Sequence, residues 1–190
     1  MNEDMVTIVS GLPRSGTSMM MRRLDAGGMQ VLTDNLRTAD EDNPRGYYEF
    51  ERVKQIEDDT SWLPEAQGKV VKMIAALLKH LPPGYVYRVI FMEREMDEVL
   101  SSQRQMLIRR GEPTDRIADE QMADLFRRHV QQVRGWLQQQ PDLDVIYVNY
   151  REVLAHPLKQ ARRVKDFLGL TLDLEAMAAA VDPSLYRQRS

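Results

Sequence analysis

An α/β fold, with helices on both faces of a parallel sheet of about four strands, is predicted by three observations. The stretch from Val6 to Leu24, VTIVSGLPRSGTSMMMRRL, carries an apolar strand into a tight loop bounded by glycines and then into a helix. Three further short apolar runs follow, separated by segments whose hydrophobic residues have helical spacing. The chain has 190 residues, 43% of them hydrophobic, which suits a single domain over 1–190 large enough to cover such a sheet. Strands alternating with helices pair in parallel through right-handed crossovers. The result is a three-layer sandwich that binds ligands at the carboxyl ends of its strands.

The elements follow in order. The first strand is expected over Met5–Ser10, apolar nearly throughout, as a strand buried on both faces must be. A helix over Thr17–Ala26 stops at Gly27-Gly28. Gln30–Pro44 is polar and acidic and reads as a loop, and Tyr47–Asp59 reads as a helix with mixed faces. Lys69–Ile74 is the second buried strand, and Ala75–Leu81 a short helix that Pro82-Pro83 cuts off. Val86–Met92 is the third strand. Asp97–Arg110 is a helix, with Met96, Val99, Leu100, Gln103, Met106 and Leu107 on one face and Gly111 at its end. Thr114-Asp115 caps a long helix to about Gln140 that turns Met122, Leu125, Phe126, Val130, Val133, Trp136 and Leu137 inward. Asp144–Asn149 is the fourth strand, and helices over Pro157–Leu168 and Leu174–Val181 close the chain before a short tail.

Composition excludes several classes of function. Without cysteine there are no disulfides, thiolate metal sites or thiol catalysis. The three histidines are scattered without ligand spacing, so no metal site is expected. No apolar run is long enough to span a membrane, and the acidic N-terminus leads straight into a strand rather than a signal peptide. A cytoplasmic protein without membrane partners is the default. The net charge of −3 argues against nucleic acid as a partner, so an anionic ligand needs local cations rather than a global field.

The loop Gly11–Ser18, GLPRSGTS, supplies such a place. Backbone N–H groups and the positive end of the following helix point into one concavity, and Gly11 and Gly16 let an anion approach the backbone. Arg14, Ser15, Thr17 and Ser18 add side-chain donors. The loop is P-loop-like, with one change: Thr17 stands where the nucleotide-binding pattern has Lys, and the cation has moved to Arg14. A kinase needs that Lys and a metal held by a strand-end Asp, yet the third strand ends in Glu93-Arg94.

The form PRSGTS resembles the 5′-phosphosulfate loop of sulfotransferases, and three further segments extend the resemblance over most of the chain. Arg94 at the end of the third strand, followed after eight residues by Ser102, looks like the family's 3′-phosphate element, although Glu95-Met96 departs from its usual Asn-Pro or Asp-Pro. VIYVNYREVLAHPLKQARRVKDFLGL resembles its strand ending in Tyr-Glu-Asp-Leu with a following helix, which puts Tyr150 either near the adenine or in the core. Arg187, with Arg189, falls where members often contribute a late basic residue to the nucleotide. NPRGYYEFERV (43–53) looks like a segment of small bacterial sulfotransferases, in which Glu49 stands as the candidate general base. The bland alternative is a surface acid paired with Arg45 or Arg52. Lys72 matches the Lys of the family's second strand, there to hold developing sulfate charge or simply as an exposed strand end. Ile74 falls where cytosolic members carry a His.

The resemblance implies a metal-independent enzyme. Its donor is 3′-phosphoadenosine 5′-phosphosulfate and its acceptor a hydroxyl or amine of a small molecule or saccharide. Arg14, Ser15, Gly16, Thr17, Ser18, Arg94, Ser102, Tyr150 and Arg187 are expected to bind the donor, with Glu49, Arg14 and Lys72 in catalysis. The alternatives are a small nucleotide-dependent kinase using Arg14 or Lys72 in place of the loop Lys, and a binding protein without catalysis. Outside the site, His129 is expected to pack in the core, His80 to be structural, and Met19–Met21 to pack the first helix on the sheet.

Overall fold

Met5–Gly11 forms strand β1, buried along its whole length. The computed structural model describes residues 4–34, 46–114 and 117–182. Three strands pair with β1 or its neighbour, all in parallel: β2 (Val70–Lys72), β3 (Val86–Glu93) and β4 (Leu143–Asn149), in the order β2-β1-β3-β4. Val9 pairs with Lys72 on one side and Ile90 on the other. Gly11 pairs with Met92, and Glu93 with Asn149. The chain leaves β1 in one direction to form β2, then crosses back to form β3. The strand order therefore reverses at the carboxyl end of β1, where open sheets of this kind hold their ligands.

Helices α1 (Thr17–Ala26), α6 (Pro157–Leu168) and α7 (Leu174–Ala179) cover one face. There Val9, Ile90 and Val148 pack with Met20, Met21, Leu24, Val164, Leu168 and Met177. The three consecutive methionines Met19–Met21 are buried against the sheet as expected. On the other face Ile8, Val89 and Phe91 meet Phe50, Trp62, Leu78 and Leu137. These come from short turns, from the residue that precedes α2 (Leu63–Ala66) and from α4 (Asp119–Leu137). Helix α3 (Met96–Arg109) follows β3, and α5 (Tyr150–Ala155) follows β4 directly. The predicted α/β three-layer sandwich with a four-stranded parallel sheet is the fold observed. None of the described helices is long and apolar enough to cross a membrane.

Several elements differ from expectation. The second strand is three residues long, not Lys69–Ile74. Ile74 turns out of the sheet, 48% exposed, and starts a 3₁₀ turn over Ala75–His80. Short connecting segments of this kind commonly take the tighter 3₁₀ form, and Pro82-Pro83 ends this one. Tyr47–Asp59 is extended and then one 3₁₀ turn, Glu51–Gln55. Within the expected loop after α1, Val31 bridges to Val70 and partly covers the outer edge of β2. Helix α4 starts at Asp119 after Ala118, with no side-chain cap; Asp115 lies outside the described residues. Its apolar stripe is only partly inward: Leu137 is buried, but Leu125 is 47% exposed. His129 is half-buried. It lines a groove of about 290 Å³ with Ala75, Val133 and Trp136 rather than packing in the core.

Candidate active site

The site is built around the turn from β1 into α1. Gly11 has φ +147 and Gly16 φ +100. A Cβ on Gly11 would lie 2.6 Å from the Met92 carbonyl and equally close to Ser15 Oγ; on Gly16 it would lie 2.5 Å from the Tyr150 ring. Only glycine tolerates both the angle and the contact. Between them Arg14 is left-handed, with φ 69, a conformation that costs a residue with a side chain energy and so marks a shaped turn. The Ser15 N–H donates to the Leu12 carbonyl at 3.2 Å. Gly16 is the N-cap of α1, with no side-chain cap and no acidic residue in the first turn. The first N–H groups of α1 have no intrahelical acceptors and carry the positive end of the helix dipole. Ser15 is buried and its Oγ has no hydrogen-bond partner among the described residues.

Two arginines flank this turn. Arg14 Nε donates to Ser102 Oγ at 2.9 Å, on the buried face of α3. Arg94, just past β3, donates from Nη1 to the Arg14 carbonyl at 3.1 Å and from Nε to Glu98 Oε2 at 2.9 Å. Its guanidinium lies over the Tyr150 ring, 4.3 Å from the centroid, so Tyr150 touches both the Gly16 corner and Arg94. Arg94, Ser102 and Arg14 thus meet at one mouth. Arg14 and Ser102, expected at opposite ends of a nucleotide, are directly bonded. Tyr150 is 6% exposed and opens α5 rather than ending a strand.

A second group lies on the β2 side of the turn. Lys72 Nζ is 3.4 Å from Ser18 Oγ in the first turn of α1 and also donates to the Tyr47 carbonyl. Glu49 Oε1 lies 3.7 Å from Lys72 Nζ, and its Oε2 lies 3.8 Å from Lys54 Nζ. Arg52 is engaged with Asp59 and Ser61, and Arg45 lies outside the described residues. The Lys72 and Glu49 side chains keep 12% and 19% exposure, enough to meet a ligand and too little for an ordinary surface pair. Glu49, Lys72 and Ser18 therefore adjoin the glycine turn, although Glu49 is 31 residues along the chain from Ser18.

The described site thus gathers Arg14, Ser15, Gly16, Thr17, Ser18, Arg94, Ser102 and Tyr150 at one mouth, with Glu49 and Lys72 beside Ser18. Arg187 and Arg189 lie outside the described residues. Sequence reasoning missed Glu98 and Arg151. Glu98 has no exposed side-chain surface and accepts from Arg94 on one oxygen and from Arg151 on the other, the latter at 2.7 Å. The signal for Glu98 was its position four residues after Arg94 at a helix start; for Arg151 no local signal existed. His80, expected to be structural, lies 3.8 Å from Glu57. Among the described residues no group of three or more His, Asp or Glu is arranged to hold a metal.

Comparison with known proteins bears on this arrangement. Among the solved structures that share the fold, three are sulfotransferase domains or a dehydratase. One is a sulfotransferase domain from the olefin synthase of Synechococcus PCC 7002, at 13% identity and TM-score 0.59, over 98% of this chain and 80% of that one. A sulfotransferase domain from the curacin biosynthetic pathway has 13% identity and TM-score 0.51, over 93% and 82%. Retinol dehydratase, in complex with androsterone and inactive cofactor PAP, has 15% identity and TM-score 0.50, over 95% and 64%. No curated protein matches the chain by sequence. A family-wide sequence model, that of the Sulfotransferase family, matches residues 32–174. That span starts after the glycine turn, so the match and the loop motif rest on different residues. It takes in three of the four strands and the positions of Glu49, Lys72, Arg94, Ser102 and Tyr150, and on that span the chain belongs to the sulfotransferase family.

Proposed function

We propose that this sulfotransferase uses 3′-phosphoadenosine 5′-phosphosulfate as donor and passes the sulfuryl group to a hydroxyl or amine of a small-molecule or saccharide acceptor. The observation that carries the reading is the convergence of two guanidinium groups on one turn: Arg94 is bonded to the carbonyl of Arg14 at 3.1 Å. The substituents on the 3′ and 5′ carbons of one ribose are only a few bonds apart, so a cradle for both must be compact. Direct contact between the Arg14 and Ser102 side chains suits that requirement.

The residues fit such a ligand. Gly11 and Gly16 let the turn pack closely on Met92 and Tyr150, where a Cβ would collide, and the uncapped start of α1 offers N–H donors to an anion. Gly16, Thr17 and Ser18 give backbone donors at the 5′ end, with the Ser15 hydroxyl lining the turn beneath them. Arg14 supplies charge at the transferring group. Arg94 and Ser102 hold the 3′ end, and Tyr150 is the surface on which Arg94 lies. The donor brings a sulfuryl group on a phosphate leaving group. Lys72 and Ser18 orient and neutralise the sulfuryl oxygens from the β2 side. Glu49 Oε1 takes the proton of the incoming hydroxyl or amine. Rate enhancement then comes from positioning and charge stabilisation.

Calorimetry with adenosine 3′,5′-bisphosphate against ATP-Mg tests the donor. The bisphosphate binds and ATP-Mg does not compete at equal concentration; the reverse order points to a kinase. Arg94→Ala weakens the bisphosphate by about 1.5–3 kcal/mol, the range for hydrogen bonds to charged groups. Unchanged affinity removes Arg94 from the site. Transfer persists in excess EDTA; its loss points to a metal-dependent kinase.

A further inference from the structure

We infer that Arg151 is a further binding residue for the nucleotide's 3′-phosphate, and that Glu98 is the positioning residue that sets Arg151 and Arg94 together. The inference rests on the donor reading above and extends it to two residues to which the resemblance gives no role.

The argument starts from burial. The Glu98 side chain has no exposed surface. A carboxylate out of water is tolerated only when paired and hydrogen-bonded. Glu98 is paired twice: Oε2 accepts from Arg94 Nε at 2.9 Å, and Oε1 accepts from Arg151 Nε and Nη2 at 2.7 Å each. One carboxylate would suffice to neutralise one arginine. Here it holds two, which sets two guanidinium groups side by side next to the glycine turn.

The backbone explains how both arginines arrive there. Glu93 of β3 and Asn149 of β4 are paired in register. Arg94 follows the first by one residue and Arg151 the second by two. The Asn149 side chain caps α5, accepting from the N–H of Arg151 at 2.9 Å and of Glu152 at 3.2 Å, and so fixes where Arg151 leaves the sheet. The two guanidinium groups therefore rise from the same carboxyl end of the sheet and meet on Glu98 between them.

Exposure divides the work. The Arg94 side chain is 8% exposed, packed on Tyr150 and bonded to the turn, whereas Arg151 is 44% exposed. Arg94 braces the cradle, and Arg151 presents the larger cationic surface to solvent and to an arriving phosphate. A planar fork held at Nε and Nη2 also has a fixed orientation, which suits phosphate recognition.

Calorimetry with two nucleotides on the intact chain tests the inference. The ratio of the affinities for adenosine 3′,5′-bisphosphate and adenosine 5′-monophosphate measures what the 3′-phosphate adds. If the unaltered chain shows no preference, the donor reading itself fails and this inference falls with it. If the preference is present, Arg151→Ala reduces it about tenfold or more, as loss of a hydrogen bond to a charged group implies, while affinity for the monophosphate stays within about threefold of the original. Glu98→Gln lowers the same ratio, and Glu98→Asp restores part of it. A merely structural role changes melting temperature or both affinities together, not their ratio. Should Glu98→Gln not fold, Arg151→Ala decides alone, at a half-exposed position. An unaltered ratio in Arg151→Ala overturns the inference and leaves the donor reading standing.

Discussion

Glu49 is held between Lys72 at 3.7 Å and Lys54 at 3.8 Å, and Lys72 in turn reaches Ser18 in the first turn of the helix that follows the loop. A carboxylate so placed stays beside the start of α1, where the proposed transfer takes place. Glu49→Gln keeps the shape and removes the proton acceptor, so turnover falls by roughly 10²–10⁴, the usual worth of a positioned general base. Binding of adenosine 3′,5′-bisphosphate is retained by calorimetry. A near-normal rate with a true acceptor removes Glu49 from that role. At this scale the sequence was informative where chemistry and spacing coincide. Arg14 replaces the expected Lys inside a glycine-bounded loop, and Arg94 and Ser102 keep an eight-residue interval across a strand–helix junction. Glu98 was legible in principle through its spacing from Arg94. Arg151 was not, because its contact joins residues 53 apart in the chain.

Among the elements, the junction of β1 and α1 sets the whole site, and Gly16 is its tightest point. Its φ of +100 is a conformation that L side chains rarely adopt, and a Cβ there would meet the Tyr150 ring at 2.5 Å. Gly16→Ala therefore strains the corner and displaces Tyr150, on which Arg94 lies. The backbone term alone is about 1–2 kcal/mol, to which the displaced ring adds. Bisphosphate affinity falls with stability, measured by calorimetry and by urea unfolding; Gly28→Ala, with nothing within 4 Å of the added Cβ, serves as the comparison. If Gly16→Ala binds as well as Gly28→Ala, the corner is not the tight point described. The elements legible in the sequence were those whose signals are local and uninterrupted: the strands, α1, α3 and α6. Those missed depend on short-range competition or on tertiary cover. The 3₁₀ turns at Glu51–Gln55 and Ala75–His80 are too short for helical periodicity to decide. Helix α5 begins without any break after β4, its only mark being Asn149 three residues before Glu152, a capping pattern without a loop to announce it.

The whole molecule depends on how the layer carrying α1 is fastened, because the loop can be no steadier than the helix it opens. Arg23, near the far end of α1, is fully buried. Burial lowers its pKa to about 10, which leaves it charged at neutral pH. In place of a carboxylate it uses backbone oxygens: Nε donates to the Met177 carbonyl of α7 at 3.1 Å, and Nη2 to the Pro157 carbonyl at the start of α6 at 2.6 Å. Three helices that arrive from opposite ends of the sequence are thus tied at one point under the sheet, and the tie is invisible to any local pattern. Arg23→Ala leaves two carbonyls without their donor and a void where a large side chain stood. Stability falls by about 2–5 kcal/mol, from the cost of unsatisfied buried polar groups and of truncating a packed side chain. At roughly 2–4 °C per kcal/mol for a chain of this size, the loss is read directly in a thermal melt. Arg23→Met, which fills the space but restores no hydrogen bond, recovers the packing part only. Full recovery in Arg23→Met would make the side chain a filler rather than a tie, whereas a loss shared by both variants assigns the stability to the two hydrogen bonds. Because the tie lies at the opposite end of α1 from the turn, the calorimetric affinity of the still-folded Arg23→Ala chain for the bisphosphate, measured well below its melting point, stays within about threefold of the original, a small change beside the tenfold that 1.4 kcal/mol represents.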